Sequence, residues 1–314
     1  MQLERFKASI RTPRWLALRA AVTAQILWLA LAAAPAPAQT LDRVKEAGRV
    51  KLGYLVDMRP FSFKNDSGAP DGYSVALCQR IVADIKTQVG RTDLAVEWVP
   101  VTVEARASDI KQGRIDLLCS PMTVSLERRA DVSFSIPVFG GGNRAVMRAD
   151  SVAALRRALD ENPTVRPVWR GEPAAKVLQG TTFAVVSGTT TASWLESTRA
   201  SFQVDAKIVP VADYHAGLQQ LVDRKVDVLF GERTLVVGAM NSSQRESLVV
   251  LDRLFTQEPG ALALARGDED LRLLVDRTLS RLYATTAFSD LYRQWFGELN
   301  GITRTFFLWN TLEQ

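Results

Sequence analysis

Two residues near the middle of the chain have the types and spacing of an anion clamp. Thr123 and Arg128 follow residues 115–119, a short apolar segment that predicts a strand. A guanidinium binds a carboxylate through two parallel N–H donors, and a nearby helix start adds further N–H groups. The pattern therefore predicts a carboxylate clamp, with a solvated loop carrying Arg128 and Arg129 as the alternative.

A second anion-binding arrangement lies further along the chain. Ser187, Gly188, Thr189 and Thr190 follow a predicted strand and precede a predicted helix. In such a turn, hydroxyl groups and the free N–H groups of the helix N-terminus converge on a negative group. The alternative is an ordinary helix N-cap with spare threonines.

The elements that must position these residues alternate between strand and helix in two units. Apolar periodicity and turn residues predict a first unit with strands 50–55, 94–100 and 115–119 and helices 75–89 and 104–112. The second unit is predicted as strands 182–186, 207–210 and 226–230 with helices 192–200 and 212–223. Further strands are predicted at 248–251 and 260–265, and further helices at 270–285 and 289–296. This alternation indicates parallel α/β units, whose ligands bind at the carboxyl ends of the strands.

Two segments interrupt the alternation. Residues 136–150 break the pattern, and glycines 140–142 within them indicate either a hinge or an ordinary flexible loop. Residues 161–178 contain three prolines and mixed charge, which predicts an irregular surface excursion. Two α/β units with a glycine-rich connection predict two lobes with a cleft between them.

Composition places the protein among exported globular proteins. The chain has 314 residues and a net charge of +5, but basic residues among the first nineteen carry much of that charge. The rest is nearly balanced and gives no reason to expect a nucleic-acid partner. The basic start, an apolar run at 26–34 and Ala36-Pro37-Ala38 predict a cleaved secretory signal over residues 1–38, with an uncleaved anchor as the alternative. The mature protein is then expected to be soluble and exported.

The cysteines and the histidine limit the chemistry further. Cys78 lies in a predicted helix and Cys119 in a predicted strand, both in apolar surroundings. Export permits a disulfide, but sequence spacing does not show that the two Cα atoms are close enough, so two buried free thiols are expected. His215 is the single histidine, and neither CxxC nor HExxH occurs. A histidine-based metal site or a Ser-His-Asp triad therefore has little support, and neither a metal nor a cofactor is expected.

Seven segments in order along the chain resemble the periplasmic solute-binding proteins of polar amino-acid ABC transporters, family 3. They are PFSF at 60–63, GYS at 72–74, QGRID at 112–116, Thr123 with Glu127-Arg128 and Phe134-Ser135, SGTT at 187–190, residues 227–232, and YRQWF at 292–296. The resemblance implies an α/β fold of the type II periplasmic-binding-protein class, with hinge-linked lobes around a ligand cleft. Lobe 1 would comprise residues 40–140 plus 258–314, and lobe 2 residues 141–257.

The resemblance also implies roles for individual residues. Arg128 would hold the α-carboxylate of the ligand beside Thr123, and the SGTTT turn would bind the same carboxylate or the distal group. Glu232 stands where the family has an Asp that accepts the α-ammonium; a loop carboxylate paired with Arg233 is the alternative. The complete implied ligand-binding set is Arg128, Thr123, Arg106, Ser120, Thr189, Thr190, Ser187, Glu232 and Tyr214.

Residues 101–106, VTVEAR, resemble glutamate- and aspartate-binding members, in which an Arg contacts the ligand. Arg106 would then hold a side-chain carboxylate; capping its own helix or pairing with Glu104 is the alternative. Three positions depart from the acidic-ligand pattern. Leu55 replaces an Arg, although Arg59 is near; Pro121 replaces a Ser, with Ser120 before it; and Tyr214 replaces a His, with His215 after it.

The function that the resemblance implies is that of a periplasmic substrate-binding component of an ABC transporter. As a monomer it would close on an acidic amino acid, glutamate or aspartate, and deliver it to the permease in the inner membrane without chemical change of the ligand. Two alternatives stay open. One is a dehydratase for cyclic acids with Glu232 or Glu127 as general acid or base, and the other is a ligand-sensing module for a membrane receptor.

Overall fold

A computed structural model of the protein describes residues 40–160, 173–202 and 204–313. The predicted secretory signal, residues 1–38, and residues 161–172 of the predicted excursion lie outside the described residues. Two five-stranded sheets and one small three-stranded sheet form the framework of the described part. Each large sheet is the centre of one lobe.

The sheet of lobe 1 combines parallel and antiparallel strands. Its order is β5 (Ala95–Val101), β1 (Arg49–Leu55), β6 (Leu117–Thr123), β13 (Glu258–Ala265) and β7 (Val132–Gly141). Strand β1 is parallel to β5 and β6, whereas β13 is antiparallel to β6 and β7. The small sheet, β2 (Asp57–Met58), β3 (Ser62–Lys64) and β4 (Pro70–Asp71), follows β1 in the chain.

The sheet of lobe 2 has the same mixed character. Its order is β10 (Lys207–Val211), β9 (Thr182–Val186), β11 (Val228–Glu232), β8 (Asn143–Arg148) and β12 (Leu248–Val250). Strand β9 is parallel to both β10 and β11, and β8 is antiparallel to β11 and β12. The parallel pairing that the strand–helix alternation predicted is therefore present in both lobes.

Helices cover both sheets. Those of lobe 1 are α1 (Thr40–Ala47), α2 (Tyr73–Val89), α3 (Arg106–Lys111), α4 (Leu126–Arg129), α11 (Glu269–Tyr283), α12 (Thr286–Phe296) and α13 (Gly301–Trp309). Those of lobe 2 are α5 (Ala153–Asp160), α6 (Pro173–Leu178), α7 (Thr190–Phe202), α8 (Tyr214–Val222), α9 (Arg233–Ala239) and α10 (Ser242–Ser247).

Burial on both faces explains the sequence of the central strands. Strand β1 reads RVKLGYL, and its last four residues are all apolar and buried, as is typical of a parallel strand that is covered on both sides. On one face Leu52 and Leu117 belong to the same core as Leu77 of α2, and on the other Leu55 and Leu118 belong to a second core. The sheet of lobe 2 likewise separates two cores.

The chain passes between the sheets twice, and the two connections are neighbours. The first runs from β7 to β8 through Gly142, and the second enters β13 at Glu258, whose ladder partner is Gly141. A Cβ atom at Gly142 would lie 1.8 Å from the carbonyl oxygen of Thr256, so only glycine fits between the connections. The strand–helix alternation is interrupted at residues 136–150, as predicted, because β7 and β8 follow each other directly on the two sides of Gly142; the two strands themselves were not predicted.

A disulfide joins Cys78 of α2 to Cys119 of β6, with the two Cα atoms 6.0 Å apart. The prediction of two free thiols was therefore wrong. Helix α2 packs directly on β6, which brings the two side chains together although they are 41 residues apart in sequence. Sequence spacing contains no information on this packing.

Some short elements were also missed. Residues 173–178, predicted to be irregular, form helix α6. The sequence interpretation did not include helices α4, α9, α10 and α13. The first three have seven residues or fewer, too few for a helical periodicity to be recognised.

Candidate ligand-binding site

A cavity of about 380 Å³ lies between the two lobes. The last residues of five parallel strands contribute to its wall: Leu55, Val101 and Thr123 from lobe 1, and Val186 and Glu232 from lobe 2. Its size is in the range of small-molecule sites, and its position at the carboxyl ends of the strands is where α/β proteins bind ligands.

Arg128 lies on the lobe 1 side of this cavity. Its helix α4 begins after Ser125, whose hydroxyl accepts a hydrogen bond from the backbone N–H of Arg128 at 3.1 Å. The guanidinium donates to the backbone carbonyls of Thr123 at 3.1 Å and of Gly188, across the cleft, at 3.3 Å. Burial lowers its pKa, against the opposing effect of Glu258 and Glu127. Because both partners are uncharged carbonyls, the positive charge stays available for an anion.

Arg106 begins helix α3 and lines the same cavity, with 5% of its surface exposed. Within the described ranges, its guanidinium forms neither a hydrogen bond nor a salt bridge, so the alternatives of a helix cap and of a pair with Glu104 have no bond to support them. Burial, and then the charge of Arg128, lower the pKa of Arg106 to about 9, which leaves it cationic at neutral pH. A buried charge without a partner costs several kcal/mol, so this wall of the cavity strongly favours an anion.

The SGTTT turn forms the opposite wall at the N-terminus of α7. Gly188 adopts φ +69°, which glycine tolerates without strain. The Thr189 hydroxyl donates to the carbonyl of Val186 at 2.7 Å and accepts from the N–H of Ala192, which is a capping role. The Thr190 hydroxyl donates to Oε2 of Glu258 at 2.7 Å and lies 3.5 Å from the hydroxyl of Thr123. Thr190 therefore links the two lobes next to the Arg128 side chain.

Glu232 and Tyr214 line the same cavity from lobe 2. Glu232 ends β11, and its Oε2 accepts the backbone N–H of Leu235 at 3.0 Å as the N-cap of α9. Burial raises the pKa of Glu232 to about 7. Tyr214 begins α8 and is buried, which raises the pKa of its phenol above the ordinary value.

Four other residues that the sequence singled out do not reach the cavity wall. Ser120 is fully buried within β6, and its hydroxyl has no partner in the described residues, whereas the adjacent Pro121 lines the cavity. Ser187 precedes the turn residues that line the cavity, and Glu127 is exposed on α4. The guanidinium of Arg59 lies over the ring of Phe63, 3.6 Å from its centroid. Arg59 therefore does not line the cavity and does not take the place of the Arg that the acidic-ligand pattern has at position 55.

Sequence reasoning missed Glu258 and Asn143, which both line the cavity. The Glu258 carboxylate accepts hydrogen bonds from Asn143 and Thr256 on Oε1, each at 2.8 Å, and from Thr190 on Oε2. Asn143 in turn accepts the hydroxyl of Thr191 at 2.7 Å. The sequence offers one signal, a charged residue at the beginning of an apolar strand, and the predicted strand began two residues later.

A second contact between the lobes lies at the edge of the cavity. Asp57 of β2 and His215 of α8 approach to 3.2 Å, and Met58 packs against the core of lobe 2.

The described part of the chain has no group of three or more His, Cys, Asp or Glu residues arranged to hold a metal ion. None of its helices combines the length and apolar character that a membrane crossing requires.

Two α/β lobes, two adjacent connections and a cavity between the lobes define the type II periplasmic-binding-protein fold. The profile of the bacterial extracellular solute-binding proteins, family 3, matches residues 50–298. The chain belongs to this family.

Several relatives are similar over most of the chain. The L-glutamate/L-aspartate-binding protein of Pseudomonas aeruginosa is 24% identical over 259 residues, which cover 82% of this chain and 80% of the relative. The L-cystine-binding protein TcyJ of Escherichia coli is 23% identical over 258 residues, covering 82% of this chain and 86% of the relative.

Solved structures share the fold at low sequence identity. The ancestral amino acid-binding protein AncCDT-1, described as a precursor of cyclohexadienyl dehydratase, has a TM-score of 0.65 at 24% identity, with 82% of this chain and 100% of that chain covered. A substrate-binding protein of an ABC uptake transporter from Streptococcus pneumoniae, with bound histidine, has a TM-score of 0.68 at 18% identity, with 83% and 97% covered.

Proposed function

We propose that this protein is the substrate-binding component of an ABC importer and that its ligand is an acidic amino acid. The observation that carries the proposal is the pair of guanidinium groups on one wall of the cavity. Neither Arg106 nor Arg128 has a salt bridge among the described residues, and both contribute to the lining of the same cavity. Two cations that lack ionic partners favour a ligand with two carboxylates.

The two carboxylates are assigned by position. Arg128, with Thr123 beside it and the SGTTT turn opposite, holds the α-carboxylate, and the more deeply buried Arg106 holds the side-chain carboxylate. The glutamate- and aspartate-binding relative from Pseudomonas aeruginosa supports an acidic ligand. The cystine-binding relative is nearly as similar, so the acidic preference depends on Arg106 rather than on the relatives.

Closure on the ligand follows from the placement of the donors. A ligand that contacts Arg128 on lobe 1 and the SGTTT turn on lobe 2 stabilises the closed arrangement, because only that arrangement offers both contacts. We assign lobe 1 to residues 40–140 plus 258–314 and lobe 2 to 141–257, with the hinge at the two connections beside Gly142. The signal at 1–38 exports the chain to the periplasm, where the closed monomer docks on the inner-membrane permease.

Calorimetric titration of the mature protein tests the proposal. Glutamate and aspartate are expected to bind, and glutamine, asparagine, arginine and cystine to bind at least tenfold more weakly. Tightest binding of a neutral or basic amino acid would refute the acidic preference and leave the importer assignment in place. Absence of binding by every amino acid would refute the proposed function as a whole.

One observation favours a second candidate, a dehydratase acting on a cyclic acid such as prephenate. Glu232 is a buried carboxyl group with a pKa of about 7, which suits a general acid at neutral pH. It would donate its proton to the departing hydroxyl group, which leaves as water while carbon dioxide is lost. Phenylpyruvate formation above the rate without enzyme, abolished in Glu232→Gln, would support this candidate, and no formation would exclude it.

A further inference from the structure

We propose that a contact beside the ligand cavity holds the two lobes together in the closed arrangement and scales the affinity for every ligand by one common factor. The contact joins residues 57–59 of lobe 1 to helices α8 and α9 of lobe 2, and we call it the latch. The inference rests on the proposed function in one respect, since it requires that the lobes open and close. It does not depend on which ligand binds.

The backbones of the two lobes approach each other closely at Gly238. This residue lies in α9, and a Cβ atom there would stand 2.5 Å from the carbonyl oxygen of Arg59 and 3.1 Å from its carbonyl carbon. Both atoms belong to the backbone of lobe 1, so they cannot move aside as the end of a flexible side chain would. Gly238 also lacks the positive φ that would explain a glycine by its conformation. The position therefore requires glycine because the other lobe lies against it.

Met58 adds an apolar contact to both lobes. Its side chain packs against the core of lobe 1 that contains Leu55 and against the core of lobe 2 that contains Val236. Asp57 and His215, 3.2 Å apart, complete the latch. Both side chains of this pair are about half exposed, so the pair contributes little. The latch therefore depends on close packing more than on charge.

The lobe 1 side of the latch is a braced corner of the chain. The backbone N–H of Phe61 donates to the carbonyl of Met58 at 2.8 Å, and strand β2 pairs with β3. The Ser62 hydroxyl accepts the N–H of Leu55 and donates to its carbonyl, each at 3.1 Å. These bonds resist displacement of the corner, so a larger residue at position 238 must push the lobes apart.

The latch contacts join protein groups only and need no ligand. Asp57 and Met58 border the cavity, whereas Arg59, His215 and Gly238 lie outside its wall. The latch thus stabilises the closed arrangement whether or not the cavity is filled. Apparent affinity is reduced by the fraction of molecules that can adopt the binding-competent state. A change in the latch should therefore alter the affinity for all ligands by the same factor, whereas a change in the cavity wall alters selectivity.

Gly238→Ala tests the latch without a change in the cavity wall. Alanine favours a helix more than glycine does, so the ligand-free variant is expected to melt at the wild-type temperature or above it. Closure over the added methyl group costs packing energy. Calorimetric affinity is therefore expected to fall about 10- to 100-fold, by the same factor for every amino acid that binds.

Gly301→Ala is the matched control. Gly301 also lies in a helix, and a Cβ atom there would meet nothing within 4 Å. This variant is expected to change affinity by less than about twofold, which is the effect of a helical Gly→Ala change that touches no other lobe.

Three results would overturn the inference. An affinity of Gly238→Ala within threefold of the wild type would mean that the contact does not limit closure. A loss that differs between ligands would make position 238 a determinant of selectivity instead. A lower melting temperature of the ligand-free variant would mean that the lobes touch here in the open arrangement too, so that the contact is a fixed interface.

Closure is also measured without any ligand, which separates the latch from the proposed function. Spin labels are attached at Arg129→Cys and Ser197→Cys, exposed positions on α4 and α7, whose lobes meet where Arg128 bonds Gly188. The ligand-free wild type is expected to show a fraction of short distances that Gly238→Ala loses, and identical distributions would reject the latch. If no amino acid binds the wild type, the proposed function is rejected, and the label distances alone decide on the latch.

Discussion

The two walls of the cavity differ in the kind of interaction they offer. Lobe 1 presents two full positive charges, Arg106 and Arg128, whereas the facing turn of lobe 2 presents uncharged hydroxyl and N–H groups. A charge attracts over a distance comparable to the Debye length, about 8 Å at physiological ionic strength, while a hydroxyl acts only in contact. For the proposed acidic ligand, the difference predicts an order of events in which lobe 1 captures the ligand and lobe 2 contacts it only on closure.

The largest expected effect is that of Arg128→Ala, which removes the charged clamp from lobe 1. Affinity for every amino acid that binds should fall about 100-fold or more, because a bidentate charge-assisted pair is lost. Arg129→Ala is the matched control, since Arg129 is adjacent but exposed. Calorimetric affinities that are equal in the two variants would mean that Arg128 is not the clamp.

Arg106→Gln is expected to have a large but selective effect. Glutamate affinity should fall about 10- to 100-fold, whereas glutamine affinity should stay within threefold, because only glutamate loses a charged partner. The ligand-free variant should also melt at a higher temperature than the wild type, since an unpaired buried charge is removed. Equal losses for the two ligands, measured by calorimetry, would make Arg106 a structural residue.

Thr190→Val tests the wall of lobe 2 and should have an intermediate effect. The variant loses the hydrogen bond from Thr190 to Glu258 that joins the lobes, which is expected to weaken glutamate binding about 3- to 10-fold. If lobe 2 acts after capture, the dissociation rate should rise while the association rate stays unchanged, as measured by stopped-flow fluorescence. Ser197→Ala, an exposed hydroxyl on the same helix, is the control. A slower association in Thr190→Val would contradict the proposed order.

The smallest expected effect concerns stability and pH. Burial raises the pKa of Glu232 from 4.5 to about 7. Between these values the unfolded chain is ionised while the folded protein keeps its proton, so the contribution of Glu232 to the free energy of unfolding falls as pH rises. The melting temperature of ligand-free Glu232→Gln minus that of the wild type should therefore be more positive at pH 8 than at pH 4.5. If this difference in melting temperature stays constant from pH 4.5 to pH 8, the buried carboxyl group is not neutral in the folded protein.

Local pattern allowed some of these features to be predicted. The strand before Thr123, the helix after the turn at Ser187 and the alternation of strand and helix could be predicted from short stretches of the sequence, although the strand was predicted to end at Cys119 and extends to Thr123. The type II periplasmic-binding-protein fold, predicted from seven short segments, is confirmed. The roles of Arg106, Arg128 and Glu232 in ligand binding stay predictions.

Features that depend on distant packing could not be predicted. The Cys78–Cys119 disulfide forms because a helix lies on a particular strand, and the spacing of the two residues does not specify this. Glu258 enters the cavity because β13 inserts into the first sheet beside Gly141, a residue far away in sequence. The only local signal, a charged residue at the beginning of an apolar strand, does not by itself distinguish a binding role.

The place of β13 has a consequence for the order in which the chain acquires its structure. Strand β7 pairs only with β13 among the described strands, and β13 follows all of lobe 2 in sequence. While the chain is synthesised or exported from its N-terminus, lobe 2 can complete its sheet first, whereas β7 stays unpaired on both edges until β13 is available. Long-range pairing of this kind slows folding and leaves strand edges exposed to other chains. The last strand to emerge is therefore the one that joins the two halves of the first sheet and also carries Glu258 into the cavity.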